Sequence, residues 1–164
     1  DIEMALQAGA DKVAINTAAV REPSFIDDAA KIFGSQCIVG SVEAKSHGSS
    51  WEVYTENGRE KTGLNVVEWC KRLENLGIGE ILVTSIDMEG TRRGFDVKLI
   101  EEVQQETNCP VIVSGGLGNL THLDEILQSP APSAIAAASV LHYSLLECTE
   151  MKAHMTSLGV RVRL

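Results

Sequence analysis

The sequence lacks an excess of basic residues and any long apolar run, and both absences exclude classes of function. Its 164 residues contain 14 Lys and Arg against 23 Asp and Glu, which gives a formal net charge of −9. Nucleic-acid-binding proteins need a cationic surface to neutralise phosphates, so this class is excluded. No apolar run approaches the roughly 20 residues that span a bilayer, and the opening residues do not resemble a signal peptide. We therefore expect a cytoplasmic protein with no nucleic-acid or membrane partner.

Cysteine pairs, metal-ligand spacings and nucleotide fingerprints are missing as well. The absence of a CxxC pair argues against a zinc site or a disulfide framework. Because three of the cysteines border or lie in apolar stretches, we expect buried thiols in a reducing compartment. The cysteines are Cys37, Cys70, Cys109 and Cys148. We interpret the histidines, which have no partner at metal-ligand spacing, as structural or exposed; they are His47, His122, His142 and His154. No G-x-G-x-x-G fingerprint is present, and we expect neither a metal nor a cofactor.

What the sequence does contain is an alternation of short apolar runs with helical patterns. Five continuous runs are typical of strands in a parallel sheet: Lys12–Asn16, Cys37–Ala44, Glu80–Ile86, Pro110–Gly116 and Ala134–Leu141. The predicted helices are Asp1–Ala8, Ser24–Ile32, Asn65–Leu76, Asp96–Glu106, Thr121–Gln128 and Leu145–Leu158, with Asn65, Asp96 and Thr121 as capping residues. Sequential βα units predict an α/β fold with a parallel sheet. Five strands fit either an open doubly wound sheet or part of an eight-stranded barrel.

One segment departs from this alternation. Trp51–Thr55 alternates between apolar and polar residues, Asn57 and Gly58 form a turn signal, and Arg59–Gly63 follows. Asn-Gly between such flanks is a strong hairpin signal. We predict a hairpin that leaves the C-terminal end of the second strand, where barrel proteins carry their functional loops.

Glycines and small residues collect after the later strands. Gly115 and Gly116 end the fourth run, Gly90 follows the third, and Ala138 and Ser139 close the fifth. Glycine lets backbone N–H groups approach a phosphate closely, and barrels often build a phosphate site from the loops after strands seven and eight. Any single glycine of this set is also explained as a simple turn residue. Their occurrence at consecutive strand ends favours a phosphate site.

Carboxylates also follow the strands. Glu43 ends the second run, and Asp87 and Glu89 come after the third. A carboxylate at this position can point into a barrel mouth and act as a general acid or base. It can equally be a structural acid paired with a nearby Lys45, Arg92 or Arg93. The residues alone leave these two interpretations open.

Several motifs together resemble one family, the cyclase subunits of imidazole glycerol phosphate synthase. They are GADKVAINTAAV (9–20), FGSQ (33–36), GEILVTSID (79–87), GT (90–91), GFD (94–96), SGG (114–116), ASV (138–140) and the closing VRVRL (160–164). The resemblance implies a (β/α)8 (TIM) barrel of which residues 1–164 are the C-terminal part, with our five runs as strands four to eight and strands one to three missing from this chain.

The resemblance also implies a reaction and a partner. In the family, ammonia from a glutaminase subunit, docked at the opposite face of the barrel in a heterodimer, is used to convert a phosphorylated ribotide into imidazole glycerol phosphate and an aminoimidazole carboxamide ribotide. Carried over, Asn16 and Thr17 belong to one phosphate site, and Gly90, Gly116, Ala138 and Ser139 belong to the other. Thr84, Glu89, Ser114 and Gly115 line the pocket, Glu43 is a catalytic acid, and Lys12 and Glu80 belong to the ammonia gate.

Two departures from the family pattern keep alternatives open. Glu43 and Glu89 stand where the family has aspartates, and a second catalytic aspartate belongs to the absent first strand, so this chain alone is expected to be inactive. A displacement of about 1 Å can cost a catalytic group on the order of 100-fold. One alternative is a cyclase-like paralogue that supplies ammonia for sugar amidation in surface-polysaccharide biosynthesis. Another is a non-catalytic half-barrel that only binds a glutaminase.

Overall fold

The computed structural model describes residues 1–128 and 130–163, so that Leu164 of the closing motif lies outside the described residues. The strands are β1 (Val13–Ile15), β2 (Ile38–His47), β3 (Ser50–Thr55), β4 (Glu60–Asn65), β5 (Glu80–Ser85), β6 (Val111–Ser114) and β7 (Ala134–Ala136). The helices are α1 (Ile2–Gln7), α2 (Thr17–Arg21), α3 (Ser24–Phe33), α4 (Val66–Asn75), α5 (Val97–Glu106), α6 (Thr121–Ile126), α7 (Ser139–His142) and α8 (Cys148–Ser157). None of the described helices has the length and apolar character needed to cross a bilayer.

The strands form a single, mostly parallel sheet of seven. β1, β2, β5, β6 and β7 pair in parallel and in chain order, each with the next. A doubly wound sheet reverses its strand order at a switch point, whereas a barrel proceeds in one direction. The order therefore supports the predicted α/β fold as part of a (β/α)8 barrel. Within the described ranges, β1 and β7 do not pair with each other.

The predicted hairpin is confirmed as β3 and β4. The first half of β2 pairs with β1, up to the pair Ile15 and Gly40. The second half of the same edge, from Glu43 onward, pairs antiparallel with β3. The turn uses positive φ angles at Glu56, Asn57 and Gly58 (53°, 59° and 75°), which Asn and Gly tolerate best. The hairpin thus replaces β1 as the neighbour of β2 at its C-terminal end.

Two predicted caps are confirmed and one is wrong. Asn65 accepts the Glu68 N–H at 3.1 Å, and Asp96 accepts the Leu99 N–H at 3.2 Å. Thr121 does not cap α6, because Asn119 two residues earlier accepts its N–H at 2.9 Å. An Asn side chain commonly bonds the backbone two residues on.

The end of the chain departs from the predicted boundaries. The fifth run, Ala134–Leu141, ends as a strand at Ala136, and its remainder enters the short α7. A short apolar run rich in Ala does not distinguish strand from helix, since Ala strongly favours helices. The last helix begins at Cys148 rather than Leu145, because Glu147 forms a capping box with Glu150. The other predicted helices are confirmed to within about two residues.

The core lies between the sheet and its helices. A β-carbon placed on Gly40 would lie 2.9 Å from the side chains of Leu73 in α4 and Ile78, so the even-numbered residues of β2 point toward α4. We call this side of the sheet the helix face and the other side the polar face. Side chains of the helix face are fully or almost fully buried: Val42, Ala44, Ile81, Val83, Val111 and Val113. Burial of this face against the helices is the main source of stability.

Candidate functional site

A row of site residues crosses the polar face near the C-terminal ends of the strands. Glu43 is in register with Thr84, Thr84 with Ser114, and Ser114 with Ala136. Residues in register on neighbouring parallel strands lie roughly 5 Å apart. Glu43, Thr84 and Ser114 are each half-buried. The structure therefore brings these three sequence-predicted residues together on one surface that solvent can reach.

Glu43 is held by two hydrogen bonds rather than by an ion pair. Its Oε2 accepts the Gly58 N–H at 2.8 Å and the Asn16 side-chain N–H at 3.0 Å. Among the residues that the structure describes, Glu43 makes no salt bridge, so the structural-acid interpretation with Lys45, Arg92 or Arg93 is wrong. Two N–H donors therefore fix the orientation of the carboxylate.

Asn16 and Thr17, which the resemblance assigns to a phosphate site, both contact the hairpin. Asn16 Nδ2 also donates to the Tyr54 carbonyl at 3.1 Å, so both of its protons are used. Thr17 Oγ1 accepts the Glu56 N–H at 3.2 Å, which leaves its own proton available to an anion. Arg21 of α2 pairs with the Glu56 carboxylate at 2.8 Å. The residues after β1 and the hairpin turn therefore form one connected unit.

A second group of predicted residues lines a concavity at the ends of β6 and β7. This glycine concavity is lined by Glu89 and by residues 114–117 and 136–139. It includes Ser114, Gly115, Gly116, Ala138 and Ser139 of the predicted site. Gly90 is outside this lining and lies on an exposed turn with φ +72°. The structure therefore brings these predicted residues together at the ends of β6 and β7, with Gly90 as the exception.

The two neighbouring glycines of the concavity are required by the backbone. Gly115 and Gly116 have φ angles of +97° and +101°. A β-carbon on Gly116 would collide with the Gly94 carbonyl, and one on Gly115 would lie 2.8 Å from the Ser85 carbonyl. The Gly116 carbonyl accepts the Gly94 N–H at 2.8 Å. Gly116 thus joins the loop after β5 to the loop after β6, and a side chain there would disrupt that contact.

The charged side chain that lines the concavity is acidic. Glu89 brings a carboxylate to its wall, and a carboxylate repels a phosphate, so this side chain suits a hydroxyl or amine instead. Arg92, on the same loop, lies over the ring of Tyr143 at 5.6 Å. Tyr143 follows α7, which begins at Ser139 of the concavity. The contact is a cation–π interaction between the loop after β5 and the segment after α7.

The two predicted gate residues form an ion pair at the opposite ends of the strands. Lys12 Nζ lies 2.7 Å from the Glu80 carboxylate, with 42% and 25% of the two side chains exposed. Lys12 precedes β1 and Glu80 is the first residue of β5. The pair is thus at the N-terminal edge of the sheet, whereas Glu43 is near the C-terminal edge.

Sequence reasoning missed the backbone and indole partners of the site. The Gly58 N–H and the Tyr54 carbonyl both complete the surroundings of Glu43, whereas the sequence indicates Gly58 only as a turn residue. Asp96 accepts the Trp51 indole N–H at 2.9 Å in addition to capping α5. The Asn-Gly turn signal was the one available clue, because a hairpin leaving the end of β2 must pass close to Glu43.

The cysteines and histidines differ in their surroundings. Cys70 is fully buried, and burial together with the nearby Cys109 raises the pKa of its thiol to about 12. Burial and the charge of Glu74 raise the pKa of Cys109, which is half-buried. Cys37 is also half-buried, but Cys148 is exposed, so the expectation of buried thiols fails there. The structural histidines are His122, which accepts the Gly118 N–H at 3.1 Å, and His154, 2.7 Å from Asp124.

The residues of both clusters lie within one region of similarity to known proteins. A family model described as "Histidine biosynthesis protein" matches residues 1–147. This range contains the gate pair, Glu43 with its hydrogen-bond donors, and all of the glycine concavity. The match covers most of the 164 residues. The chain therefore belongs to the histidine biosynthesis protein family, a family of biosynthetic enzymes.

Proposed function

We propose that the chain belongs to the cyclase subunit of imidazole glycerol phosphate synthase. In this reaction ammonia from a glutaminase converts a phosphorylated ribotide into imidazole glycerol phosphate and an aminoimidazole carboxamide ribotide. The observation that carries the proposal is the arrangement of the polar face. Glu43 stands at one side of it with one carboxylate oxygen held by two N–H donors, and the glycine concavity stands at the other side.

Glu43 is proposed as a general acid or base. A group with this role must reach the proton that it transfers while its own orientation is fixed. Glu43 meets both conditions, because its side chain is half-buried and Oε2 is anchored to Asn16 and Gly58. Thr84 and Ser114 are in register with it and are proposed to line the pocket.

The distance between the two proposed phosphate sites suits an elongated substrate with a phosphate at each end. Thr17 follows β1, with Asn16 directly before it, and Ser139 follows β7. Four strand spacings of about 4.8 Å separate β1 from β7, so the two ends are roughly 15–20 Å apart. Gly90, Gly116 and Ala138 are proposed to complete the second site with Ser139. Gly116 acts there through its backbone, because its β-carbon direction is occupied by Gly94.

The gate pair supports the proposal of a glutaminase partner in a heterodimer. Lys12 and Glu80 form an ion pair at the N-terminal edge of the sheet, which is the side opposite to Glu43. Ammonia made by a subunit docked there would pass the pair on its way to the reacting carbon. We also propose that residues 1–164 are the C-terminal part of a full-length barrel, because β1 and β7 each leave an edge unpaired in the described ranges.

The second candidate is the cyclase-like paralogue for sugar amidation. The glutamates at 43 and 89 favour it, because each is one methylene longer than the aspartate that the resemblance leads one to expect. The hydrogen bonds of Glu43 show that the longer side chain is well accommodated. The two candidates share the ammonia supply and differ in the acceptor molecule.

The experiment is a ring-closure assay of the full-length protein with an ammonium salt as nitrogen source and product detection by mass spectrometry. Glu43→Gln is expected to lower kcat by about 10²–10⁴-fold because the side chain can no longer transfer a proton. Glu60→Gln is the matched control, since Glu60 is exposed on the hairpin. Normal turnover by Glu43→Gln would show that Glu43 is not a catalytic acid or base.

The same assay separates the two candidates and tests the phosphate site. Glu43→Asp is expected to retain or raise ring closure in a cyclase, whereas a sugar-amidation paralogue shows none with either acid. Ser139→Asp is expected to raise KM at least about 10-fold, because a second carboxylate in the concavity repels a phosphate. An unchanged KM in Ser139→Asp would remove the concavity from the substrate site.

A further inference from the structure

The amide of Asn16 has only one satisfactory orientation. Its Nδ2 donates to Glu43 Oε2 at 3.0 Å and to the Tyr54 carbonyl at 3.1 Å. Its Oδ1 is buried and has no hydrogen-bond partner. Rotating the amide by half a turn would set Oδ1 against two other oxygen acceptors, which is worse than leaving it unpaired. Asn16 therefore acts as a donor toward Glu43 and gives no proton to a ligand in this arrangement.

The second donor to Glu43 comes from the hairpin. Gly58 N–H lies 2.8 Å from the same oxygen, Oε2. In the part of the chain that the structure describes, Oε1 receives no hydrogen bond. Two donors occupy one oxygen, so the other oxygen is the one that a substrate can contact. Oε2 is thus fixed by hydrogen bonds, and Oε1 is the oxygen available for proton transfer.

Two further contacts join the hairpin turn to α2. Thr17 accepts the Glu56 N–H at 3.2 Å, and Arg21 pairs with the Glu56 carboxylate at 2.8 Å. The Arg21 contact does not involve Glu43. Removing it loosens the hairpin but leaves both N–H donors to Glu43 in the protein. Arg21 is also exposed, which makes it suitable for a control variant.

We propose that Asn16 is a positioning residue for Glu43, with the backbone N–H of Gly58 as the second donor. Asn16 and Gly58 hold Oε2 so that Oε1 faces the reacting atoms and transfers the proton. The proposal rests on the proposed acid–base role of Glu43. It differs from the phosphate role implied for Asn16 by the resemblance, because a phosphate ligand affects KM whereas a positioning residue affects kcat.

The test is a double-mutant cycle in the full-length protein, in the ring-closure assay with an ammonium salt. The four forms are the wild type, Asn16→Ala, Glu43→Gln and the double variant. Asn16→Ala is expected to lower kcat by about 10- to 100-fold with KM nearly unchanged. In the Glu43→Gln background the same substitution is expected to change kcat by less than about 3-fold, because the group it positions is already disabled. Arg21→Gln is expected to retain kcat.

Each other result overturns the proposal. A raised KM with unchanged kcat in Asn16→Ala would assign Asn16 to ligand binding. An equal loss of kcat in both backgrounds, or an equal loss in Arg21→Gln, would show a general effect of the hairpin. If Asn16→Ala does not fold, as judged by circular dichroism, Asn16→Ser takes its place in the cycle with the same expectations. Full activity of Glu43→Gln would instead contradict the proposed function itself.

Discussion

On the helix face of the parallel strands, the side chains of Ile81 and Val83 are completely buried, whereas Leu82 and Thr84 of the same strand are only half-buried on the polar face. The helix face consists of valines and isoleucines up to Val83, with the Ser85 hydroxyl buried at its end, and the polar face carries Glu43, Thr84 and Ser114 in register. Alternate residues of one strand thus serve stability and chemistry separately. Substitutions one position apart are therefore expected to affect different measurements.

The largest expected difference concerns thiol reactivity on the helix side. Burial raises the pKa of Cys70 in α4 to about 12, and each unit above an ordinary thiol pKa lowers the reactive thiolate about tenfold. We expect iodoacetamide at pH 8 to label Cys70 at least about 1,000-fold more slowly than the exposed Cys148, measured by peptide mass spectrometry. Equal labelling of both thiols in urea is the control. Rapid labelling of Cys70 in the folded protein would contradict a dry helix face.

The same thiol makes stability depend on pH in the alkaline range. The Cys70 thiol keeps its proton in the fold up to a pH of about 12, against an ordinary value of 9.0. Because the unfolded chain loses this proton first, the free energy of unfolding falls as the pH rises from 9 to 12 and is unaffected by this group below that range. Cys70→Ala is expected to remove this part of the decline.

The next largest effect compares two isoleucines on opposite faces. Ile81→Ala removes a fully buried side chain and is expected to lower the free energy of unfolding by about 2–5 kcal/mol. Ile112→Ala, on the half-buried polar face, is expected to cost about half as much or less in the 164-residue chain, because water fills the space. Urea titration measures both. In a full-length barrel the polar face is enclosed, so the two substitutions should lower the free energy of unfolding by similar amounts. A persistent difference there would argue against the proposal that this chain is part of a closed barrel.

The smallest effect is a reciprocal exchange of neighbouring residues. Val83→Thr places a hydroxyl in the dry helix face, where it lacks a partner, and is expected to cost about 1–2 kcal/mol. Thr84→Val removes a hydroxyl from the half-buried polar face and is expected to change stability by less than about 0.5 kcal/mol. Both are compared by their urea midpoints. Similar costs at the two positions would mean that the faces do not differ in polarity.

Much of the fold could be predicted from the sequence because its signals are local. The apolar runs that become β2, β5 and β6 are continuous and rich in β-branched residues, and Asn65 and Asp96 cap their helices as expected. The Asn-Gly turn indicated the hairpin. The strand predicted for the Ala-rich run at 134–141 is too long, because a local composition of this kind suits both a strand and a helix.

The candidate site was predictable only in part. Local patterns are sufficient to predict which residues stand at strand ends, because the order of strands and loops follows from them, and the SGG and ASV motifs indicated the residues of the glycine concavity. The groups that contact Glu43 are brought to it by tertiary contacts: Asn16 is 27 residues away along the chain and Gly58 is 15 residues away. A tertiary contact also sets Gly116 against the Gly94 carbonyl. Such contacts depend on strand register and on the approach of separate loops, which no local preference of the chain encodes.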